Sequence, residues 1–168
     1  TYPMRRGNNL STDAPDLWNY EDGQKVRVVC YTNSPQARLL LNGKVVGELK
    51  PNDPQVGIIH WDINYEAGTL LCEGCDADGN KQSSYEIKTS GRPYQIKATL
   101  EDKGEDIAHV LIEVLDENGI LVKLADNEIS CWVMGGKLLG LENSDNTDMT
   151  NHRDNRQRVY RGRLLAYV

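Results

Sequence analysis

Apolar and polar side chains alternate twice between Val26 and Leu49, on either side of a turn. Val26, Val28 and Cys30 share one face of the first stretch, and Arg27, Val29 and Tyr31 share the other. Ala37, Leu39 and Leu41 then alternate with Arg38 and Leu40, and this period of two marks half-buried strands. Asn42 and Gly43 stand between them and the next stretch. Both residue types accept the positive φ of a type I′ turn, so residues 44–49 are predicted to fold back antiparallel.

The same alphabet continues along the chain. Ile59, Trp61 and Ile63 alternate with Ile58, His60 and Asp62, which places Trp61 in the core; Leu70, Cys72 and Gly74 face inward after a turn at residues 65–68. Asp76-Ala77-Asp78-Gly79-Asn80 reads as a hairpin turn before the strand SSYEIKTS. Ser90-Gly91-Arg92-Pro93 breaks the pattern, and a second set begins with Ile96, Ala98 and Leu100, followed by Ala108, Val110, Ile112 and Val114, with a turn at Asp116 to Gly119. EISCWVMGG is read as a strand with Ile129, Cys131 and Val133 inward and Trp132 outward, then a polar loop runs through Asp154, and VYRGRLLAYV is a last strand. Ending in the middle of an apolar pattern, that strand is expected to leave an unpaired edge, with a further strand of the second domain missing.

Short strands about ten residues apart predict an all-β chain: two tandem immunoglobulin-like antiparallel β-sandwich domains, the second truncated. The expected boundaries are an irregular lead-in or linker over 1–24, a first sandwich over 25–90 and a second over 91–168. Trp18 and Tyr20 interrupt the lead-in, either as packing against the sandwich edge or as ligand contacts. Cys30 and Cys72 are both predicted inward on facing sheets, which leaves two readings open, a disulfide or two buried thiols.

Length and charge narrow the function. With 168 residues the chain has room for two small cores. A net charge of -6 and a pI near 5.1 give no basic surface for a nucleic-acid backbone beyond a modest cluster from Arg153 to Arg163. No apolar run is long enough to span a membrane, and Thr1 opens no signal-peptide pattern, as in a piece cut from a longer chain. Asn9-Leu10-Ser11 matches a glycosylation sequon. Cys72 and Cys75 form a CxxC, but His60, His109 and His152 are isolated and no second ligand pair completes a metal site. The aspartates at 76–80 lack the spacing and the downstream glutamate of a calcium loop. No metal or cofactor is expected.

Three segments together are similar to one family. DLWNYEDGQKVRVVCYTNSPQARLLLNGKVVGE resembles the start of the sandwich domain that follows the catalytic barrel in glycoside hydrolase family 2, β-galactosidase type, where a strand ending Tyr-Thr-Asn leads into a Leu-Asn-Gly-Lys hairpin. IIHWDINYEAGTLLCEG resembles later strands of that domain. VLIEVLDENGILVKLADNEISCWVMGGKLLGLEN resembles the next immunoglobulin-like domain, including its Gly-Lys-Leu-Leu-Gly run. The likeness covers residues 16–168, with cysteines at strand positions where the family more often carries aliphatic or aromatic residues.

The resemblance implies a non-catalytic role. In the family the paired glutamates lie on the barrel, and nothing in this chain matches their motifs, so the chain is expected to have no activity of its own and to support a barrel lying upstream of it. It further implies a bacterial parent enzyme, periplasmic or extracellular, with the barrel as partner and a homo-oligomer as one assembly. An alternative from a different class is a carbohydrate-binding or adhesive module. Its candidate sugar platforms are Trp132, Trp18 and Tyr20, because aromatic rings stack on the apolar faces of sugars.

Overall fold

In the computed structural model, which describes residues 1–4, 14–104 and 106–168, every regular element is a strand. The chain divides into two units, Thr1–Thr89 and Ser90–Val168. The Asn9 sequon lies outside the described residues.

Unit 1 holds seven strands: β1 (Tyr2–Pro3), β2 (Lys25–Tyr31), β3 (Gln36–Leu41), β4 (Lys44–Pro51), β5 (Ile58–Asn64), β6 (Thr69–Cys75) and β7 (Lys81–Lys88). They form two antiparallel sheets, ordered β1-β2-β5 and β4-β3-β6-β7. The inward rows read from the sequence meet in one core, in which Val26, Val28, Ala37, Leu39, Leu41, Ile59, Trp61 and Leu70 are buried. The β3–β4 turn has Asn42 at φ 51° and Gly43 at φ 78°, the backbone a type I′ hairpin demands. Gly47 on β4 is required for a different reason. A Cβ there would lie 2.5 Å from Cδ1 of Trp61 and 2.9 Å from Cβ of Leu39, so the indole packs directly on backbone and donates to the Glu48 carbonyl at 3.0 Å.

The described part of the predicted lead-in belongs to this unit. Tyr2–Pro3 pairs with Val26 and Arg27, and Trp18 is 1% exposed. Its indole donates to the Glu66 carbonyl at 3.1 Å, and it packs edge-on against Tyr65 and Tyr20 with centroids at 5.0 and 6.1 Å. The Thr89 hydroxyl donates to the Trp18 carbonyl at 2.8 Å and so ties the segment to the last strand of the unit. Removing such an aromatic from a core costs on the order of 3–5 kcal/mol. Trp18 closes one end of the sandwich, a role invisible to periodicity because the segment carrying it has no regular period.

Unit 2 holds β8 (Gln95–Lys103), β9 (Ala108–Leu115), β10 (Glu128–Ser130), β11 (Gly140–Glu142), β12 (Arg156–Arg158) and β13 (Arg163–Tyr167). One sheet is ordered β11-β13-β9-β8, and a small second sheet pairs β10 with β12. Ile112, Val114, Val122, Ile129, Leu141, Val159 and Leu164 are among its buried core residues. The expectation of an unpaired last strand is overturned, since β13 bonds to β11 on one side and to β9 on the other. A polar Arg161-Gly162 turn, both residues at positive φ, lets the chain re-enter the sheet interior. The strand expected across EISCWVMGG stops at Ser130, and the chain leaves the sheet before Trp132. Ile96 and Leu100 face the same side of the sheet as their register partners Val114 and Val110, yet they stay 59% and 56% exposed.

Candidate functional site

Carboxylates are the first groups to test for chemistry in a chain that resembles a glycosidase. Glu73 on β6 is buried between Arg38 at 2.7 Å and Lys81 at 3.4 Å. Asp62 on β5 makes a bidentate pair with Arg27 at 2.6 and 2.7 Å. Asp116 is 2% exposed and accepts backbone N–H groups from Gly91, Ile120 and Asn118 at 2.7, 2.8 and 2.9 Å. Each is held below the ordinary carboxylate range, Glu73 by Arg38 and then Lys81, Asp62 by Arg27, and Asp116 by the Gly91 N–H and then those of Ile120 and Asn118. Asp76 and Asp148 shift the same way through backbone bonds from Asn80 and Thr150. A general acid for glycoside cleavage needs a carboxyl pushed upward. These five carboxylates are instead fixed as structural anions.

The aromatic candidates separate. Trp132 stands on the surface of unit 2, 77% exposed. Trp18 is sealed in the core of unit 1, and half-buried Tyr20 is engaged edge-on with Trp18 and Tyr65 and shares a hydrogen bond of 2.8 Å with the Thr1 hydroxyl. Burial raises the phenol of Tyr20 above its usual value. Trp132 belongs to unit 2, and Trp18 and Tyr20 belong to unit 1.

Within unit 1 lies a cavity of about 390 Å³ whose lining includes Val28, Leu39, Leu70 and Ile87. Cys30 on β2 and Cys72 on β6 both line it, and exposed Tyr31 and Tyr85 stand at its walls. Cys30 and Cys72 stand in it as free thiols. Each is the other's main titrating neighbour, Cys30 being drawn below the usual thiol value and Cys72 pushed above it. Alternation in the sequence placed both inward. The cavity itself was not legible, since it forms where Ala14, Pro15 and Asp16, residues of no regular element, border the sheet faces. Cys75 is fully buried and turned to the Glu73 carbonyl at 3.7 Å. Among the described residues no group of three His, Cys, Asp or Glu side chains gathers to hold a metal, and no helix is long and apolar enough to cross a membrane.

Comparison with known proteins adds what geometry alone does not. The model for glycoside hydrolase family 2 C-terminal domain 5 matches residues 95–168, and one for a domain of unknown function matches residues 23–83. Over 158 residues, 90% of its length, the chain is 31% identical to a β-galactosidase of Bacteroides ovatus, of which it covers 18%. A β-glycosidase structure from Bacteroides vulgatus matches 89% of the chain at 25% identity with a TM-score of 0.80, the match covering 20% of that protein. A glycosyl hydrolase family 2 member from Bacteroides cellulosilyticus matches 99% of the chain at 22% identity, with a TM-score of 0.86 and 24% of that protein covered. At that identity the likeness is one of fold.

Proposed function

The chain belongs to the C-terminal domains of glycoside hydrolase family 2, and from that premise we propose that it is a non-catalytic accessory region of a bacterial β-galactosidase-like enzyme, supporting a catalytic barrel that lies upstream. The observation that carries this reading is one of extent. The β-galactosidase relative is matched over nearly the whole of this chain, while the chain spans only 18% of that relative. The anchored carboxylates support the same reading, because they are bonded into turns and ion pairs. So do Ile96 and Leu100, apolar side chains on a sheet face that remain more than half exposed. Surface of that kind is suited to burial against a neighbouring domain.

Two measurements test it together. The chain alone, mixed with a chromogenic galactoside, should give no turnover above the blank; sustained turnover would remove the non-catalytic assignment. Deleting the region from the parent enzyme should lower both the thermal midpoint and kcat, whereas a truncated enzyme that keeps both would rule out the supporting role.

A second reading, glycan binding by the chain itself, rests on one observation, the exposed indole of Trp132. Planar rings in that setting stack on sugar faces. Titration with galactosides and plant polysaccharides should then give a saturable fluorescence change that Trp132→Ala abolishes. A flat titration leaves accessory support as the function.

A further inference from the structure

Cys30 lies opposite Ile59 in the sheet of β2 and β5, and Cys72 lies between Leu39 and Tyr85 in the facing sheet. Directly opposed residues in an antiparallel ladder share a face. Since Ile59 and Leu39 are buried in the core of unit 1, both sulfurs point into the same space between the sheets. Both pack against the buried cluster of unit 1 and line the same cavity, and both remain half-buried rather than sealed. Inward side chains on opposed strands of a β-sandwich are placed so that a covalent bond can bridge the sheets.

We propose that Cys30 and Cys72 form a redox-active thiol pair, which a small-molecule disulfide reaching them through the adjoining cavity converts to an inter-sheet disulfide. The other two cysteines lack this arrangement. Cys75 is fully buried, and Cys131 belongs to the other unit.

Exchange begins when a thiol of the pair, such as Cys30, loses its proton to solvent. That thiolate attacks one sulfur of the incoming disulfide, forming a mixed disulfide on Cys30 and expelling one thiolate. Cys72 then gives up its proton to the expelled thiolate or to solvent and attacks the Cys30 sulfur. The Cys30–Cys72 bond forms, the mixed disulfide breaks and a second thiolate departs. Two protein thiols are oxidised and one small disulfide is reduced to two thiols.

The test uses the 168-residue chain in glutathione buffers of increasing oxidised fraction, with remaining thiols trapped by N-ethylmaleimide. Digestion with trypsin and then a glutamate-specific protease separates Cys72 from Cys75 at Glu73 before mass spectrometry. The expected product is a linked pair of peptides carrying Cys30 and Cys72, short by two hydrogens, while Cys75 and Cys131 carry maleimide. Four maleimides at every ratio, or a bond to Cys75, would overturn the proposal. In Cys72→Ser the resolving thiol is gone, and glutathione should accumulate on Cys30. In Cys30→Ser glutathione should accumulate on Cys72 in the same way; no adduct in either variant would overturn the proposal.

Discussion

Asp76 and Asp116 hold equivalent turns in the two units. Each begins an Asp-x-x-Gly-x turn, and its Oδ1 accepts the backbone N–H groups two and four residues on, at 3.0 and 2.8 Å for Asp76 and 2.9 and 2.8 Å for Asp116. Asp116 differs in being buried and in taking a further bond from the Gly91 N–H. Replacing it by Ala would strand these donors, at a cost of about 1–3 kcal/mol. Its folded-state pKa is depressed, so its contribution is fully present above the unfolded value near 4 and is lost as pH falls through the lower folded value. Urea midpoints of unit 2 followed from pH 7 down to pH 2 should decline below about pH 4, and less steeply in Asp116→Ala than in the wild type. Equal acid slopes would show that the carboxylate is not the linked group. The turn was legible in the sequence from its Asp and Gly, but the burial of the Asp was not, because it depends on Gly91, in a segment that reads only as a boundary.

Among the elements, the β3–β4 hairpin shows why long alternating stretches were legible and short ones were not. Asn42 does more than tolerate positive φ. Its Oδ1 accepts the Thr69 N–H at 2.9 Å, and its amide donates to Glu66 at 2.9 Å and to the Ala67 carbonyl at 3.1 Å, which fastens the hairpin to the β5–β6 turn. Gly68 leaves room for it, since a Cβ there would fall 1.9 Å from Asn42 Oδ1. Asn42→Ala should therefore cost about 2 kcal/mol, from the lost bonds and the left-handed backbone together. Asn42→Gly should recover part of that by accepting the backbone alone. Equal midpoints for the two variants would show that the side-chain bonds contribute nothing. β10 and β12 had no comparable signal. They are three residues long, and β12 reads Arg-Gln-Arg, whose middle residue is buried only because the Gln157 side chain bonds to the Thr150 hydroxyl at 2.6 Å and to the Arg158 N–H at 2.8 Å. A period of two cannot reveal a strand that buries a polar residue.

For the whole molecule, the division at Thr89 and Ser90 gives each unit its own buried cluster, and each unit is of a size at which small domains unfold cooperatively. The tryptophans make this testable. Trp18 and Trp61 are buried in unit 1, whereas the tryptophan of unit 2, Trp132, is already exposed in the folded state. Emission should therefore follow the unfolding of unit 1 almost alone, while far-ultraviolet circular dichroism follows the strands of both. Two cooperative units predict a dichroism curve with a transition that fluorescence does not register. The substitutions argued above then assign the steps. Asn42→Ala should lower the midpoint seen by fluorescence and leave the other in place, and Asp116→Ala should lower only the transition that fluorescence misses. If both variants move both transitions together, the units unfold as a single cooperative body. The separate clusters would then describe packing without describing stability.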